Sequence, residues 1–125
     1  MKNTQRLLRI MEQLRDSEMG CSWDKKQDFN SLIPYTLEEA YEVVDAIERN
    51  DMQDLKAELG DLLFQVVFHA QLADEQGLFD FEQVALNVTD KLVRRHPHVF
   101  AGVVYANEAE QKQAWEEHKA AERKV

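Results

Sequence analysis

The segment LKAELGDLLFQVVFHAQL, residues 55–72, decides the fold class of this chain. Its apolar residues cover most of the circumference of a helix, as in helices that are buried on several sides. They are Leu55, Leu59, Leu62, Leu63, Phe64, Val66, Val67 and Phe68. Residues three or four apart lie on one helix face, so the polar residues form a single narrow stripe. They are Glu58, Asp61, Gln65 and His69. The segment predicts a central helix with one polar stripe.

The preceding segment, TLEEAYEVVDAI at residues 36–47, also has helical spacing and carries Glu38, Glu39 and Glu42 in its first turns. Glu39 and Glu42 lie on neighbouring turns of one face. One interpretation is a solvated acidic face that complements the helix dipole. Another is a capping box, in which Glu39 bonds back to the backbone N–H of Thr36. Taken alone, this helix favours those surface and capping roles.

The polar stripe of the later helix changes this balance. A carboxylate beside so much apolar surface is costly to desolvate unless it is paired or ligates a metal. Basic partners are few, because the preceding helix has only Arg49, near its end. If the two helices pack antiparallel across a short turn, Glu39 and Glu42 can face Glu58 and Asp61. Four carboxylates favour Mg²⁺ or Mn²⁺ over Zn²⁺ or copper.

The whole chain is expected to be an all-α helical bundle of about five helices. It has four Gly and two Pro, and no sustained period-2 alternation. The first helix is expected over about residues 3–16, the second from residue 35 or 36 to about 49, and the third from residue 51 or 54 to 77. The fourth is expected over residues 81–96 and the fifth over residues 108–124. Residues 17–28 should form a loop. Pro34 is expected just before the second helix, because proline disfavours helical geometry in the residue preceding it. Asp80 and Asn107 are expected helix caps, and Pro97 an expected stop.

Basic residues are concentrated in the last two helices. The fourth carries Lys91, Arg94 and Arg95, and the fifth carries Trp115 and Lys119 on one face. Mg²⁺ held by a few carboxylates keeps waters and usually meets substrate phosphates, which these cations could bind. The alternatives are helix-end charges that complement the dipole, above all for Arg94, and a core anchor for Trp115.

Composition limits the classes of function. The net charge of -9, with 24 acidic and 15 basic residues, argues against a nucleic-acid binder. The one cysteine, Cys21, cannot form an internal disulfide, which suits a reducing compartment such as the cytoplasm. The N-terminus lacks the apolar segment of a signal peptide, and no later run is long enough to span a bilayer. His96 and His98 are expected to have structural roles, since they lack a converging Cys or acidic partner.

The chain resembles a known family in several segments. E-E-x-x-E at 38–42 and E-x-x-D at 58–61 are similar to the signature of the MazG nucleoside triphosphate pyrophosphohydrolases, of the all-α NTP pyrophosphatase superfamily. GCSWDKKQ at 20–27 resembles the family's G-C-P-W-D-x-x-Q segment, with Ser22 in place of the usual proline. Residues 35–47, 58–71, 90–100 and 115–119 resemble its core helices and C-terminal part, so the resemblance covers nearly the whole chain.

The resemblance implies a Mg²⁺-dependent enzyme, with Mn²⁺ as a possible substitute, that hydrolyses an NTP or dNTP to the monophosphate and pyrophosphate. It implies that four carboxylates ligate the metal and that Glu38 is an outer-shell or structural partner of these ligands. We predict that Glu39 or Glu42 also orients or deprotonates the attacking water. The implied ligands are Glu39, Glu42, Glu58 and Asp61. Lys91, Arg95 and Lys119 would contact phosphates, Trp115 would line the nucleotide site and Trp23 would reach the base.

The resemblance also implies assembly as a homodimer or a dimer of dimers through the core helices, which suits the surplus apolar surface of the third helix. The family includes single-domain members and tandem proteins. RRHPHVF and GCSWD resemble the first half of the tandem form. We therefore expect a single MazG-like domain over residues 1–125, with one alternative: the N-terminal half of a longer chain, weakly active or inactive and serving assembly. A further alternative is a helical interaction module that uses the third helix to bind a partner protein. It is disfavoured, because such a module would not need acidic residues on buried faces.

Overall fold

The computed structural model describes residues 1–123. These residues contain no β-strand, and they form α1 (Lys2–Leu14), α2 (Ser22–Lys25), α3 (Phe29–Glu48), α4 (Met52–Glu75), α5 (Phe81–Arg95), α6 (Pro97–Phe100) and α7 (Glu108–Arg123). The all-α prediction is confirmed, and its five helices correspond to α1, α3, α4, α5 and α7. The chain divides into two compact units, Met1–Phe81 and Glu82–Val125.

The first turn of α3 corrects one prediction. The helix begins at Phe29 and not at residue 35 or 36, and Pro34 lies inside it. Asp28 caps it: its side chain accepts a hydrogen bond from the Ser31 N–H at 2.8 Å, and the Ser31 hydroxyl accepts one from the Asp28 N–H at 2.8 Å. This capping box starts the helix before the proline, which then costs it one backbone bond. Thr36 is therefore an interior helical residue, and the predicted capping box between Thr36 and Glu39 is wrong.

A tight turn joins α3 to α4. Asn50 has a positive φ of 55°, and the Asp51 side chain caps α4 by accepting from the Asp54 N–H at 3.0 Å. Arg49 donates to Asp45 at 2.8 Å, to Asp51 at 3.3 Å and to Asp54. Each of the three guanidinium nitrogens thus donates a hydrogen bond at the turn. The short connection makes α3 and α4 antiparallel neighbours, as predicted.

The core of the first unit lies where α1, α3 and α4 meet. Its fully buried members are Met11, Leu32, Val67, Phe68 and Leu72. The apolar stripe of α1 packs against them through Leu7, Leu8 and Leu14. Each fully buried side chain of this size contributes about 1.5–3 kcal/mol. This core packs α1 against one side of the α3–α4 pair.

The segment between α1 and α3 was predicted to be a loop, but it contains the short helix α2. Arg15 fastens it: Nη1 donates to the carbonyls of Asp24 at 2.7 Å and Gln27 at 3.2 Å. The same guanidinium forms an ion pair with Glu75 at the end of α4. The conformation also needs a glycine at Gly20, where a Cβ would lie 2.4 Å from the Leu14 carbonyl oxygen.

The opposite face of the α3–α4 pair exposes many apolar side chains. On α3 they are Ile33, Leu37, Tyr41, Val44 and Ile47, and on α4 they are Met52, Leu59, Leu63 and Val66. We call this set the exposed apolar face. A large exposed apolar surface of this kind marks an interaction surface.

No helix within residues 1–123 is long and apolar enough to cross a bilayer.

In the second unit, α5 and α7 are joined by ion pairs of Arg94 and Arg95 with Glu122. Asn107 caps α7 as predicted, since its Oδ1 accepts from the Glu110 N–H at 2.8 Å. Helix α5 begins directly after Asp80 and ends at Arg95. Pro97 does stop α5, but it also opens the single-turn helix α6, where its fixed φ suits the first helical position.

Candidate functional site

Three carboxylates meet on the inner side of the α3–α4 pair. Glu39 comes from α3, and Glu58 and Asp61 come from adjacent turns of α4. Each offers an oxygen atom, and these atoms all lie within 4.8 Å of one another. Glu39 and Glu58 are half-buried, whereas Asp61 is exposed. We call these residues the carboxylate cluster. The antiparallel geometry predicted from the sequence therefore does bring both helices' acids together.

In the part of the chain that the structure describes, the carboxylate cluster has no positive partner. Among residues 1–123, none of the ion pairs involves its members, and Glu39 Oε2 is buried without a hydrogen-bond partner. Burial, the hydrogen bond to Glu58 and the charge of Asp61 together raise the pKa of Glu39 to about 7, with burial as the largest cause. A divalent cation bound to oxygen ligands would relieve both the buried atom and the repulsion. These residues thus fit a hard metal ion.

Glu42 and Glu38 lie on α3 beside the cluster but do not join it. Both are exposed. Glu42 is one turn beyond Glu39, and its carboxylate is not among the oxygens that converge within 4.8 Å. Glu38 acts through its charge, which contributes to the raised pKa of Glu39. Ligation by Glu42 stays a prediction.

The rest of the polar stripe of α4 bonds to α3. The Thr36 hydroxyl donates to Gln65 Oε1 at 3.0 Å and lies 3.0 Å from His69 Nε2. The His69 ring stacks on Phe29 with a centroid separation of 6.1 Å, and burial lowers the pKa of this imidazole. A neutral His69 suits this contact. Together these bonds set the register of α3 against α4, and hence the positions of the three carboxylates.

Trp23, the predicted contact for the base, lies on α2. It packs edge-on against Tyr35 at 5.3 Å, and 44% of its surface is exposed. The Gln27 side chain donates to its backbone carbonyl at 2.9 Å. The ring is therefore positioned by Arg15 and Gln27 through the backbone of its segment, and it remains accessible.

The second unit gathers the three predicted phosphate contacts around one cavity of about 720 Å³. Lys91 and Arg95 come from α5, and Lys119 comes from α7. Two further cations, Arg94 and Arg123, line the same cavity. Its full lining is Asn87, Lys91, Arg94, Arg95, Lys119, Glu122 and Arg123. We call it the cationic cleft.

Trp115 lines a second cavity, of about 460 Å³, together with Arg95, His96, His98 and Lys112. The Arg95 guanidinium lies 5.3 Å from the Trp115 ring centre, and the His96 ring lies 4.8 Å from it. Trp115 is half-buried, so it is not sealed in a core. His96 and His98 contact each other and belong to no group of three metal-ligating atoms within the described chain. Their expected structural role is consistent with these aromatic contacts.

Sequence reasoning missed Glu122, Arg123 and Lys112 as lining residues. A signal was available in the spacing of α7, since Trp115, Lys119 and Arg123 recur every fourth residue and so share a face. Glu122 gave no such signal, because an acid near a helix end usually remains in solvent. Only the packing of α7 against α5 assigns it to the cleft.

Comparison with known proteins agrees with this geometry. The MazG nucleotide pyrophosphohydrolase domain model matches residues 27–100. The chain is 57% identical to the nucleoside triphosphate pyrophosphohydrolase of Escherichia coli K12, over 98% of this chain and 47% of that protein. It is 48% identical to the nucleoside triphosphate pyrophosphohydrolase/pyrophosphatase MazG of Thermotoga maritima, over 94% of this chain and 44% of that protein. The chain thus spans about half the length of these relatives.

A solved structure shares the fold. The mazG-related protein from Thermotoga maritima superposes with a TM-score of 0.73 and 31% sequence identity, over 93% of this chain and 98% of that one. The matched segment of the family model contains α3 and α4 with all three members of the carboxylate cluster. The chain belongs to the MazG nucleotide pyrophosphohydrolase domain family.

Proposed function

We propose that this chain is a Mg²⁺-dependent hydrolase, with Mn²⁺ as a substitute, that converts a nucleoside triphosphate into a monophosphate and pyrophosphate. The observation that carries this proposal is the carboxylate cluster. It has three converging acids, a buried oxygen without a hydrogen-bond partner in residues 1–123, and a Glu39 pKa of about 7. An acid cluster in which repulsion and burial both oppose ionisation needs a compensating cation.

Glu39, Glu58 and Asp61 would hold the metal, with Glu42 completing the ligand set from the next turn of α3. When bound, Mg²⁺ neutralises phosphate oxygens and lowers the pKa of water. Glu39 or Glu42 would orient the attacking water and accept its proton. The water oxygen bonds to the α-phosphorus, the bond from that phosphorus to the bridging oxygen breaks, and pyrophosphate leaves with the electron pair. Glu38 would act behind the ligands through its charge.

The polyphosphate would be held by cations of the second unit. Lys91, Arg95 and Lys119 line the cationic cleft, which supports a common role for them. Arginine and lysine neutralise phosphate oxygens by charge-assisted hydrogen bonds. Trp115, beside Arg95, would line the nucleotide site, and the accessible Trp23 would reach the base.

A second copy of the chain is the proposed partner of the exposed apolar face. Exposed side chains such as Leu37, Tyr41 and Leu59 follow one face of the α3–α4 pair. A homodimer, or a dimer of dimers, would bury them, as obligate interfaces bury apolar surface. We further propose that residues 1–125 act as one MazG-like domain. The alternative is a weakly active or inactive assembly half of a tandem protein, and the match to about half the length of the relatives supports the tandem arrangement.

One assay tests the function and separates it from this alternative. The purified chain is incubated with each NTP and dNTP plus Mg²⁺, and the products are identified, alongside a Glu42→Ala, Asp61→Ala double variant. The matched control is Glu48→Ala, Asp74→Ala, which removes exposed acids from the same two helices. Monophosphate and pyrophosphate that are lost only in the first variant support the enzyme. No turnover by a folded, oligomeric, Mg²⁺-binding protein supports the assembly half instead.

A further inference from the structure

One residue of the cationic cleft has the wrong charge for a phosphate site. The cleft is lined by five basic residues and by Glu122. Glu122 Oε1 accepts from Arg94 at 3.2 Å, and Oε2 accepts from Arg95. Its carboxylate therefore occupies the guanidinium of the most enclosed arginine in the cleft, since the Arg95 side chain is 16% exposed and that of Arg94 is 56% exposed.

We propose that Glu122 is a built-in competitor for the polyphosphate: its carboxylate holds Arg95, and a diphosphate or triphosphate must displace it to bind. The inference rests on the proposed function only in taking phosphate as the ligand of the cleft. It adds a residue that sets how strongly the cleft binds anions.

The chemistry of the two anions supports displacement. Carboxylate and phosphate oxygens accept from the same planar guanidinium fork, so they compete for Arg95 directly. Glu122 leaves this arginine incompletely satisfied, because Arg95 Nε is buried and has no acceptor in the described part of the chain. A phosphate group with several terminal oxygens has an acceptor for the free N–H as well as for the fork. The larger anion therefore makes a bond that the carboxylate does not.

The charge of the cleft also favours displacement of Glu122 by a polyphosphate. One carboxylate balances one of five cations, so the cleft keeps an excess of positive charge while Glu122 is in place. The hydrogen bonds from Arg95 and Arg94 lower the pKa of Glu122, which keeps it ionised near neutral pH. Glu122 is thus an anion under the conditions in which phosphates bind. Inorganic phosphate offers the same kind of oxygen to Arg95, whereas pyrophosphate brings more charge and more oxygens to the other cations of the cleft.

Two consequences follow for binding. Removing the charge of Glu122 strengthens anion binding, because nothing then has to be displaced. It also leaves the preference for pyrophosphate over inorganic phosphate unchanged, because each anion that has to displace the same carboxylate gains the same factor in affinity.

The test is calorimetric titration of the 125-residue chain with sodium pyrophosphate and with inorganic phosphate, in metal-free buffer at neutral pH. Glu122→Gln removes the charge and keeps the shape. The matched control is Glu117→Gln, an exposed acid on the same helix that accepts from Gln113 and lies outside the cleft. We expect roughly tenfold tighter pyrophosphate binding for Glu122→Gln, the scale of one charge-assisted hydrogen bond, and no change for Glu117→Gln.

Unchanged or weaker pyrophosphate binding in Glu122→Gln would overturn the proposal, because Glu122 would then be positioning Arg95 for the ligand. Absence of pyrophosphate binding in both wild type and variant would also overturn it. Glu122→Ala is titrated in parallel, with circular dichroism for both variants, so that a folding defect in one does not decide the result.

Hydrolysis of NTPs is measured separately on the wild-type chain. If that chain hydrolyses NTPs while Glu122→Gln shows no gain in affinity, this inference alone fails. If Glu122→Gln binds pyrophosphate more tightly and the wild type hydrolyses no NTP, the proposed function alone fails.

Discussion

Glu39 is the residue whose substitution tests the metal site most directly. Its pKa is raised from 4.5 to about 7 by burial first, then by Glu58 and Asp61. A carboxyl group with a raised pKa in the folded state stabilises the fold fully below its unfolded pKa. That contribution is lost as the pH rises through the folded pKa. In chelator, the wild-type protein therefore loses stability between about pH 4.5 and pH 7 at this site.

The magnitude follows from the size of the shift. One pKa unit corresponds to about 1.4 kcal/mol, so the shift bounds the cost of the charge at about 3.5 kcal/mol. Solvent reaches the half-buried side chain and reduces this, and we expect about 2 kcal/mol at pH 8. Glu39→Gln removes the charge and keeps the size of the side chain. In chelator at pH 8 the variant should be about 2 kcal/mol more stable than wild type, or roughly 6 °C in Tm.

Mg²⁺ should reverse this order. A cation that binds only the folded state stabilises it in proportion to its occupancy, so the wild type should gain stability on adding Mg²⁺ and Glu39→Gln should gain much less. The assay is urea unfolding at pH 5 and pH 8, with chelator and with Mg²⁺. Glu48→Gln, an exposed acid on the same helix, is the control and should respond to neither variable. Equal stability of Glu39→Gln and wild type in chelator at pH 8 would refute the reasoning.

Three further predictions concern other parts of the chain. Asp61→Asn should weaken Mg²⁺ binding at least tenfold, the usual scale for losing a charged ligand, as measured by calorimetry; unchanged affinity would remove Asp61 from the ligand set. Arg15→Ala removes the hydrogen bonds to Glu75 and to the backbone carbonyls of α2 and its C-terminal flank. It should lower the free energy of unfolding in urea by about 1–3 kcal/mol and speed proteolysis near Trp23. An unchanged cleavage pattern would contradict this role of Arg15. Leu59→Asp places a charge on the exposed apolar face, where the proposed dimer would bury it, and should shift the protein to monomers in analytical ultracentrifugation. A sedimentation profile like that of the wild type would show that the interface lies elsewhere.

The sequence predicted the parts of the fold that depend on local periodicity. The polar stripe of α4 follows from spacing alone, and Glu58, Asp61, Gln65 and His69 do face α3. The cluster with Glu39 then required only a short turn, which Asn50 and Asp51 supply. The predicted start of α3 is wrong, because the Asp28 and Ser31 capping box overrides the rule for the residue before proline. Both signals are local, and the cap dominates because it satisfies two backbone donors at once.

Net charge alone does not decide which anions this chain can bind, because five basic residues are gathered in the cationic cleft. An excess of nine negative charges argues against a long polyanion, which samples the average surface over a large area. A small polyphosphate samples only the few side chains within reach of its own charges, because solvent and salt screen the rest beyond about 10 Å. In the second unit those side chains are five cations and a single acid. In the first unit, three acids converge with no cation partner in the described chain, which is the arrangement that a divalent cation stabilises. A strongly acidic chain can therefore offer a small anion a site where its positive charges gather into one cleft, and offer a divalent cation a site where its acids converge.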